Sequence, residues 1–137
     1  GLSAPVWGRL SDRSSRLVLV ASGVVAGALG LLTFGLSGVE GAWAKSEFLF
    51  AALFLVIGIA HSGVRLGRKT YLVDMATQDN RAAYVAVSNT LVGALLLVGG
   101  LFGVVADLAG VAATLALLGL MSLLGAASAW RLEEVQR

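Results

Sequence analysis

The residues best suited to chemistry in this sequence are few, and their spacing does not build a catalytic site. His61 and Ser62 could supply a base and a nucleophile, but adjacent side chains on a helix point about 100° apart and do not meet. The sequence has no second histidine and no cysteine, which excludes thiolate metal sites and a cysteine nucleophile. Asp74 and Asp79 have no acidic partner on one helix face that would complete a metal site. We therefore predict a protein that is not an enzyme and that holds neither a metal nor a cofactor.

The elements that position these residues are long stretches without charge. Hydrophobic residues make up 58% of the sequence and charged residues 13%, against about 25% charged in a soluble domain. The charge-free stretches are 17–39, 48–64, 82–106 and 108–130. About 20 apolar helical residues cross a hydrocarbon core of about 30 Å, so three stretches are long enough and 48–64 is at the lower limit. The sequence predicts an all-α, polytopic membrane bundle with four transmembrane helices.

The positions of the basic residues predict which way the bundle is oriented. Apart from Lys45, all lysines and arginines lie before the first span, in the loop 65–81 or after the last span, where Arg131 and Arg137 stand. By the positive-inside rule, the loops 8–16 and 65–81 and both ends of the segment are cytoplasmic, while 40–47 and Asp107 are on the other side. This segregation also explains a pI near 9.5 without a nucleic-acid partner. We expect the partner surface to be the lipid bilayer.

Small residues recur at helical spacing on three of the spans. Gly23, Gly27 and Gly30 form one stripe, Gly99 and Gly103 a second, and the fourth span carries a third. The members of this third stripe are Ala112, Ala116, Gly119 and Ala126. Such stripes allow close approach of helix backbones in lipid. They predict helix packing within the bundle, with dimerisation through the first span as the alternative.

Two loop sequences resemble those of a known family. Residues 8–16 read Gly-Arg-Leu-Ser-Asp-Arg-Ser-Ser-Arg, which resembles the G-x-L-A-D-R-x-G-R signature of the major facilitator superfamily of secondary transporters. One hairpin later, residues 74–82 resemble the acid-x-x-P-x-x-x-R-G/A loop of that superfamily. Asp74 and Arg81 keep the spacing of seven, and Thr77 replaces the proline.

The resemblance implies a place in a twelve-helix fold. Because four spans follow the first loop and only a short tail follows them, the chain is similar to the C-terminal half, from the end of helix eight to helix twelve. The alternative is helices three to six of the first half. The implied partners are the N-terminal half and helices seven and eight of the same protein. The opening residue, Gly1, is not an initiator methionine, and we expect the chain to begin within a longer protein.

The implied function is secondary active transport of a small solute across the plasma membrane by alternating access. A stand-alone four-helix membrane scaffold and a small multidrug-type exporter are the alternatives. Small multidrug-type exporters depend on an acidic residue in the first span, and 17–39 has none.

The resemblance also implies the functional residues. In the superfamily, charges of these loops pair across the cytoplasmic ends of the helices and hold the inner gate shut. The gating and loop-motif residues are Gly8, Asp12, Arg13, Arg16, Asp74 and Arg81. We expect Gly8 to be a point where a helix end packs closely. Solvated loop charges are the alternative reading for the ionic residues.

Three polar residues within the spans are candidates for the substrate cavity, because helices ten and eleven contribute to the cavity in the superfamily. They are His61, Ser88 and Asn89. The alternatives are an interfacial, hydrogen-bonded histidine and an interhelical hydrogen bond from the amide.

The predicted orientation can be checked by thiol labelling, since the sequence has no native cysteine. A membrane-impermeant maleimide added to intact cells should modify Ala42→Cys and spare Thr77→Cys, because only the first lies in an external loop. After cell lysis both variants should react. Labelling of Thr77→Cys alone in intact cells would contradict the orientation.

Overall fold

The computed structural model describes residues 3–135, and these form helices without any strand. Gly1 and Arg137 lie outside the described residues. The helices are α1 (Ala4–Arg13), α2 (Ser15–Ser37), α3 (Glu47–Met75), α4 (Arg81–Gly99), α5 (Leu101–Ala109) and α6 (Val111–Trp130), with a 3₁₀ turn at Ala42–Lys45. Four helical segments are long and apolar enough to cross a membrane, and α4 with α5 counts as one of them. The predicted all-α bundle with four spans is confirmed.

Helix α3 is longer than the charge-free stretch at its centre. Its 29 residues are about 43 Å long at about 1.5 Å per residue, more than the hydrocarbon core of about 30 Å. Residues 65–75 were expected to belong to a loop, but they form the last part of α3. The charges in this segment mark where the hydrocarbon ends. They do not end the helix, because lysine and arginine are good helix formers. Residues 8–13 are likewise helical, within α1.

The connection between the third and fourth spans lies further along the chain than the charge pattern indicated. Asp107, which separates the charge-free stretches 82–106 and 108–130, lies within α5, and the chain turns at Gly110. Gly110 has φ +88°, a conformation that residues with a side chain rarely adopt. This turn brings α5 against α6.

Helix α2 is at the centre of the described bundle and packs mainly against α6. A Cβ atom added to Gly119 of α6 would lie 2.9 Å from the carbonyl oxygen of Gly27 and 3.2 Å from the Cα of Gly30. The hydroxyl of Ser122 donates a hydrogen bond to the carbonyl of Gly23 at 3.0 Å. The glycine stripe of the first span therefore packs within the chain.

Another face of α2, about 100° around the helix, receives α3, again through glycine. A Cβ on Gly67 would lie 3.0 Å from Cγ1 of Val18, and a Cβ on Gly63 would lie 2.9 Å from Cβ of Ser22. Val18 and Ser22 are fully buried. Trp7 of α1 also lies against Gly63, and its indole N–H donates to the carbonyl of Ile59 at 2.9 Å.

The third span stands apart from this core. Neither α4 nor α5 contains a buried residue, and Leu97 is 85% exposed. A Cβ on Gly99 or Gly103 would meet nothing within 4 Å among the described residues, so this stripe makes no close contact there. The third span thus has faces that are free to pack against lipid or other helices.

The contact between α2 and α6 predicts that replacing two glycines of α6 by leucine has very different effects on thermal stability. Gly119→Leu should lower the midpoint of thermal unfolding of the purified protein, because overpacking costs about 1–3 kcal/mol. Gly125→Leu is the matched control, since a Cβ there meets nothing within 4 Å. Equal midpoints for the two variants would mean that the helices are not in close contact at Gly119.

Candidate functional site

The ends of several helices meet at one end of the bundle, which we call the loop end. It comprises the α1–α2 turn at Ser14, the loop 76–80 between α3 and α4, and the residues after α6. Ser14 interrupts the helix because its backbone is extended, and its hydroxyl accepts a hydrogen bond from the N–H of Leu17 at 3.1 Å. This is a serine N-cap, which fixes where α2 begins.

Arg16 joins the start of α2 to the segment after α6. Its Nε lies 3.4 Å from a carboxylate oxygen of Glu134, and its Nη1 donates to the carbonyl of Leu132 at 3.1 Å. The guanidinium also lies 5.7 Å from the ring centre of Trp130, within the range of a cation–π contact. Ser14 donates to the same carboxylate at 2.6 Å. The predicted gating residue Arg16 therefore has a defined partner, which sequence analysis did not identify.

Helix α3 is attached to the same segment by Tyr71, whose hydroxyl donates to the backbone carbonyl of Glu133 at 3.1 Å. The short segment after α6 thus contacts both α2 and α3. The two adjacent acids of this segment, Glu133 and Glu134, follow the last span after two intervening residues. They were a signal in the sequence, because basic residues at the start of α2 lie at the same membrane face.

Two of the predicted gating acids face one groove. Asp12 from α1 and Asp74 from α3 line an open groove of about 820 Å³, together with Glu133 and Glu134. The structure therefore brings together acids from both family loops.

The predicted gating cation Arg81 stands at the beginning of α4 and reaches back to α3. Its Nη2 donates to the carbonyl of Val73 at 3.4 Å, in the last turn of α3. A cation at the carboxyl end of a helix is favourable because the last carbonyls lack helical partners. Arg81 thereby joins the two helices across the loop.

Two other loop-motif residues make few contacts in the described chain. We expected Gly8 to be a point of close helix packing, but a Cβ there would meet nothing within 4 Å, so this expectation is wrong for residues 3–135. Helix α3 approaches α1 at Trp7 instead. Arg13 is exposed at the last position of α1.

Two of the predicted cavity residues contact Arg68, one of the cations of residues 65–81 from which the orientation was predicted. The Nη1 of Arg68 on α3 donates to the hydroxyl of Ser88 at 2.8 Å and to the amide oxygen of Asn89 at 3.4 Å on α4. Sequence analysis could not pair them, because it ended the second span at 64, whereas Arg68 is seven residues before the end of α3 and Ser88 seven after the start of α4. Both therefore lie about 10 Å from their helix ends.

His61 is not part of this polar cluster. It is exposed on α3 and has no hydrogen bond or ion pair with residues 3–135. The same part of the chain contains no group of three or more histidine, aspartate or glutamate residues that could hold a metal ion.

The contact of Arg16 with Glu134 can be tested by exchanging the charges. Arg16→Glu should lower the midpoint of thermal unfolding, since it places two acids together, and adding Glu134→Arg should restore most of the loss. The side chains are about one third exposed, so we expect a pair energy of at most about 1 kcal/mol. Glu133→Gln is the control, because its backbone carbonyl makes the contact with Tyr71. Additive losses in the double variant would exclude a direct pair.

Comparison with known proteins supports the resemblance of the two loops. The family description that matches is the Major Facilitator Superfamily, over residues 1–137. Searches of curated proteins and of solved structures give no match. The match extends over the full length of the chain, and the four helices have the length and apolar composition of membrane spans. The chain belongs to the major facilitator superfamily of membrane transporters.

Proposed function

We propose that this chain is the C-terminal part of a secondary active transporter that moves a small solute across the plasma membrane by alternating access. In this proposal it supplies the end of helix eight and helices nine to twelve. The loops 8–16 and 65–81 and both ends of the segment face the cytoplasm. Membership of the family supports transport, and the segregation of basic residues supports the orientation.

The observation that carries the proposal is the contact of Arg68 with Ser88 and Asn89. Arg68 lies in the part of α3 that continues beyond the charge-free stretch 48–64, and burying a charge is costly unless it is hydrogen-bonded. Here the guanidinium is half-buried, joins two adjacent spans, and has no carboxylate partner within 4 Å among residues 3–135. Polar groups in this arrangement are typical of a solute path, and we assign them to its wall.

The remaining helices of the transporter would cover the third span. Because α4 and α5 contain no buried residue, the described chain offers a broad face to further helices. In our proposal these are helices seven and eight and the N-terminal half. Alternating access then arises as one half moves against the other around a site at their interface.

The loop end would act as the inner gate. Arg81 holds the end of α3 through the carbonyl of Val73, and Asp74 lies one residue further along that helix. Asp12 lines the same groove as Asp74. We propose that these charges, with the Gly8 and Arg13 loop motif, stabilise the closed gate by contacts with the opposite half. Arg16 acts indirectly, because it holds α2 against the segment after α6.

This gate predicts a transport defect without a folding defect. In the intact transporter, Arg81→Ala should reduce the initial rate of solute flux by about tenfold, because switching between states is impaired. The amount of protein in the membrane should be unchanged. The assay is flux into proteoliposomes of a solute first found by screening the wild-type protein.

Arg9→Ala is the matched control for this experiment. Arg9 is an exposed cation of α1 at a variable position of the loop signature, and it has no hydrogen bond or ion pair with residues 3–135. It should transport at the wild-type rate. If Arg81→Ala also transported at the wild-type rate, the loop charges would be solvated residues without a role in gating.

A further inference from the structure

A second basic site lies on α3, on the side that faces α1. Arg65 and Lys69 line a cavity of about 210 Å³ between the two helices, together with Ser62, Leu66 and Trp7. They are four positions apart, so their side chains project side by side from the helix. This site is separate from the proposed solute path. Arg68, assigned to that path, is directed toward Ser88 and Asn89 on α4, whereas Arg65 and Lys69 line the cavity next to α1.

The two cations at this site lack a negative partner. Both are exposed, and neither has a hydrogen bond or ion pair with residues 3–135. None of their neighbours three or four positions along α3 is an acid, and Arg68 adds a third positive charge. The nearest acid along the helix is Asp74, five residues beyond Lys69 and so about 140° around the axis. Like charges at such spacing destabilise a helix, and binding an anion would relieve the repulsion.

The depth of the site corresponds to that of lipid phosphate groups. Arg65 is 18 residues and Lys69 is 22 residues from Glu47, the first residue of α3. At about 1.5 Å per residue these positions are about 27 and 33 Å along the helix. They lie on either side of the boundary of a hydrocarbon core of about 30 Å that starts at Glu47. A phosphate at the membrane interface would meet both cations.

The other wall of the cavity is formed by α1 and is mainly apolar, with Trp7 and Ala4 beside Ser3. The ring of Trp7 lies against Gly63, where an added Cβ would be 2.8 Å from the ring, and its N–H is bound to the carbonyl of Ile59. Trp7 therefore contributes a fixed apolar surface and no free donor. The hydroxyl of Ser62 donates to the carbonyl of Gly58, so the donors left for a ligand are the two cations and the hydroxyl of Ser3, which also lines the cavity. A mainly apolar wall beside two cations suits a molecule with a phosphate and an adjoining hydrocarbon part.

We propose that Arg65 and Lys69 bind the phosphate group of an anionic phospholipid in the cavity between α1 and α3. The guanidinium and ammonium groups donate to the phosphate oxygens, and the acyl chains extend along Trp7 and Leu66 toward the hydrocarbon core. Bound lipid would hold α1 against α3 at the loop end. A soluble organic phosphate shares the headgroup chemistry but lacks the acyl chains.

The test is a lipid titration of the intact purified protein in detergent. Phosphatidylglycerol should raise the midpoint of thermal unfolding in a saturable way, and phosphatidylcholine at the same concentration should raise it less. Arg65→Gln with Lys69→Gln should weaken the apparent affinity for phosphatidylglycerol by about tenfold or more. The exchange Arg65→Lys with Lys69→Arg keeps both charges and should retain most of the affinity.

The matched control has the same change of net charge at other exposed positions. Arg9→Gln with Arg131→Gln removes two exposed cations outside the cavity and should bind phosphatidylglycerol as the wild type does. Glycerol 3-phosphate at constant ionic strength forms a separate arm. If it stabilises the wild type as phosphatidylglycerol does, and the effect depends on Arg65 and Lys69, the phosphate site is supported but its ligand is soluble. Equal phosphatidylglycerol affinities for the wild type and the double glutamine variant would overturn the proposal.

Discussion

The structure depends above all on the close approach of α2 and α6. Without water between the helices, the hydrophobic effect does not draw them together, and packing of backbone against backbone supplies the attraction. Gly27, Gly30 and Gly119 permit that packing because each lacks the Cβ that would clash. The hydrogen bond from Ser122 to the carbonyl of Gly23 adds a polar contact along the same line. This interface sets the rotation and the vertical register of both helices.

The register of α2 and α6 in turn positions the loop end. Because α6 ends where α2 begins, Glu134 can reach Arg16 and Ser14, although 120 residues separate Ser14 from Glu134. Helix α3 packs on a second face of α2 through its glycines Gly63 and Gly67. This contact brings α3 close enough for Tyr71 to reach Glu133. Three helix ends are therefore joined at one place. Helices α4 and α5, which contain no buried residue, take no part in this junction.

Much of the architecture could be predicted from local properties of the sequence. Charge-free length predicts four spans, since the cost of placing charge in hydrocarbon acts on each helix independently. Helix ends were predicted less well. Residues 65–75 continue α3, because charged residues outside the hydrocarbon can still be helical. Asp107 belongs to α5, because the chain turns three residues later, at Gly110. The glycine stripe of the first span was predicted to pack within the bundle, but its partner on α6 was not.

The sequence by itself determined the number and character of the spans and, through its two loop motifs, the family. It also indicated that Ser88 and Asn89 are polar residues in a span. Asp74 and Arg81 were predicted to belong to one loop, whereas the structure places them at the end of α3 and the start of α4. Only the tertiary structure decided which groups meet. Arg16 contacts Glu134, Arg68 contacts Ser88, and Arg65 and Lys69 face Trp7 across a cavity. The physical reason is that hydropathy and charge act residue by residue, whereas side-chain partners depend on how each helix is rotated and shifted against its neighbours. In this protein, contacts between glycines distant in the sequence set that rotation.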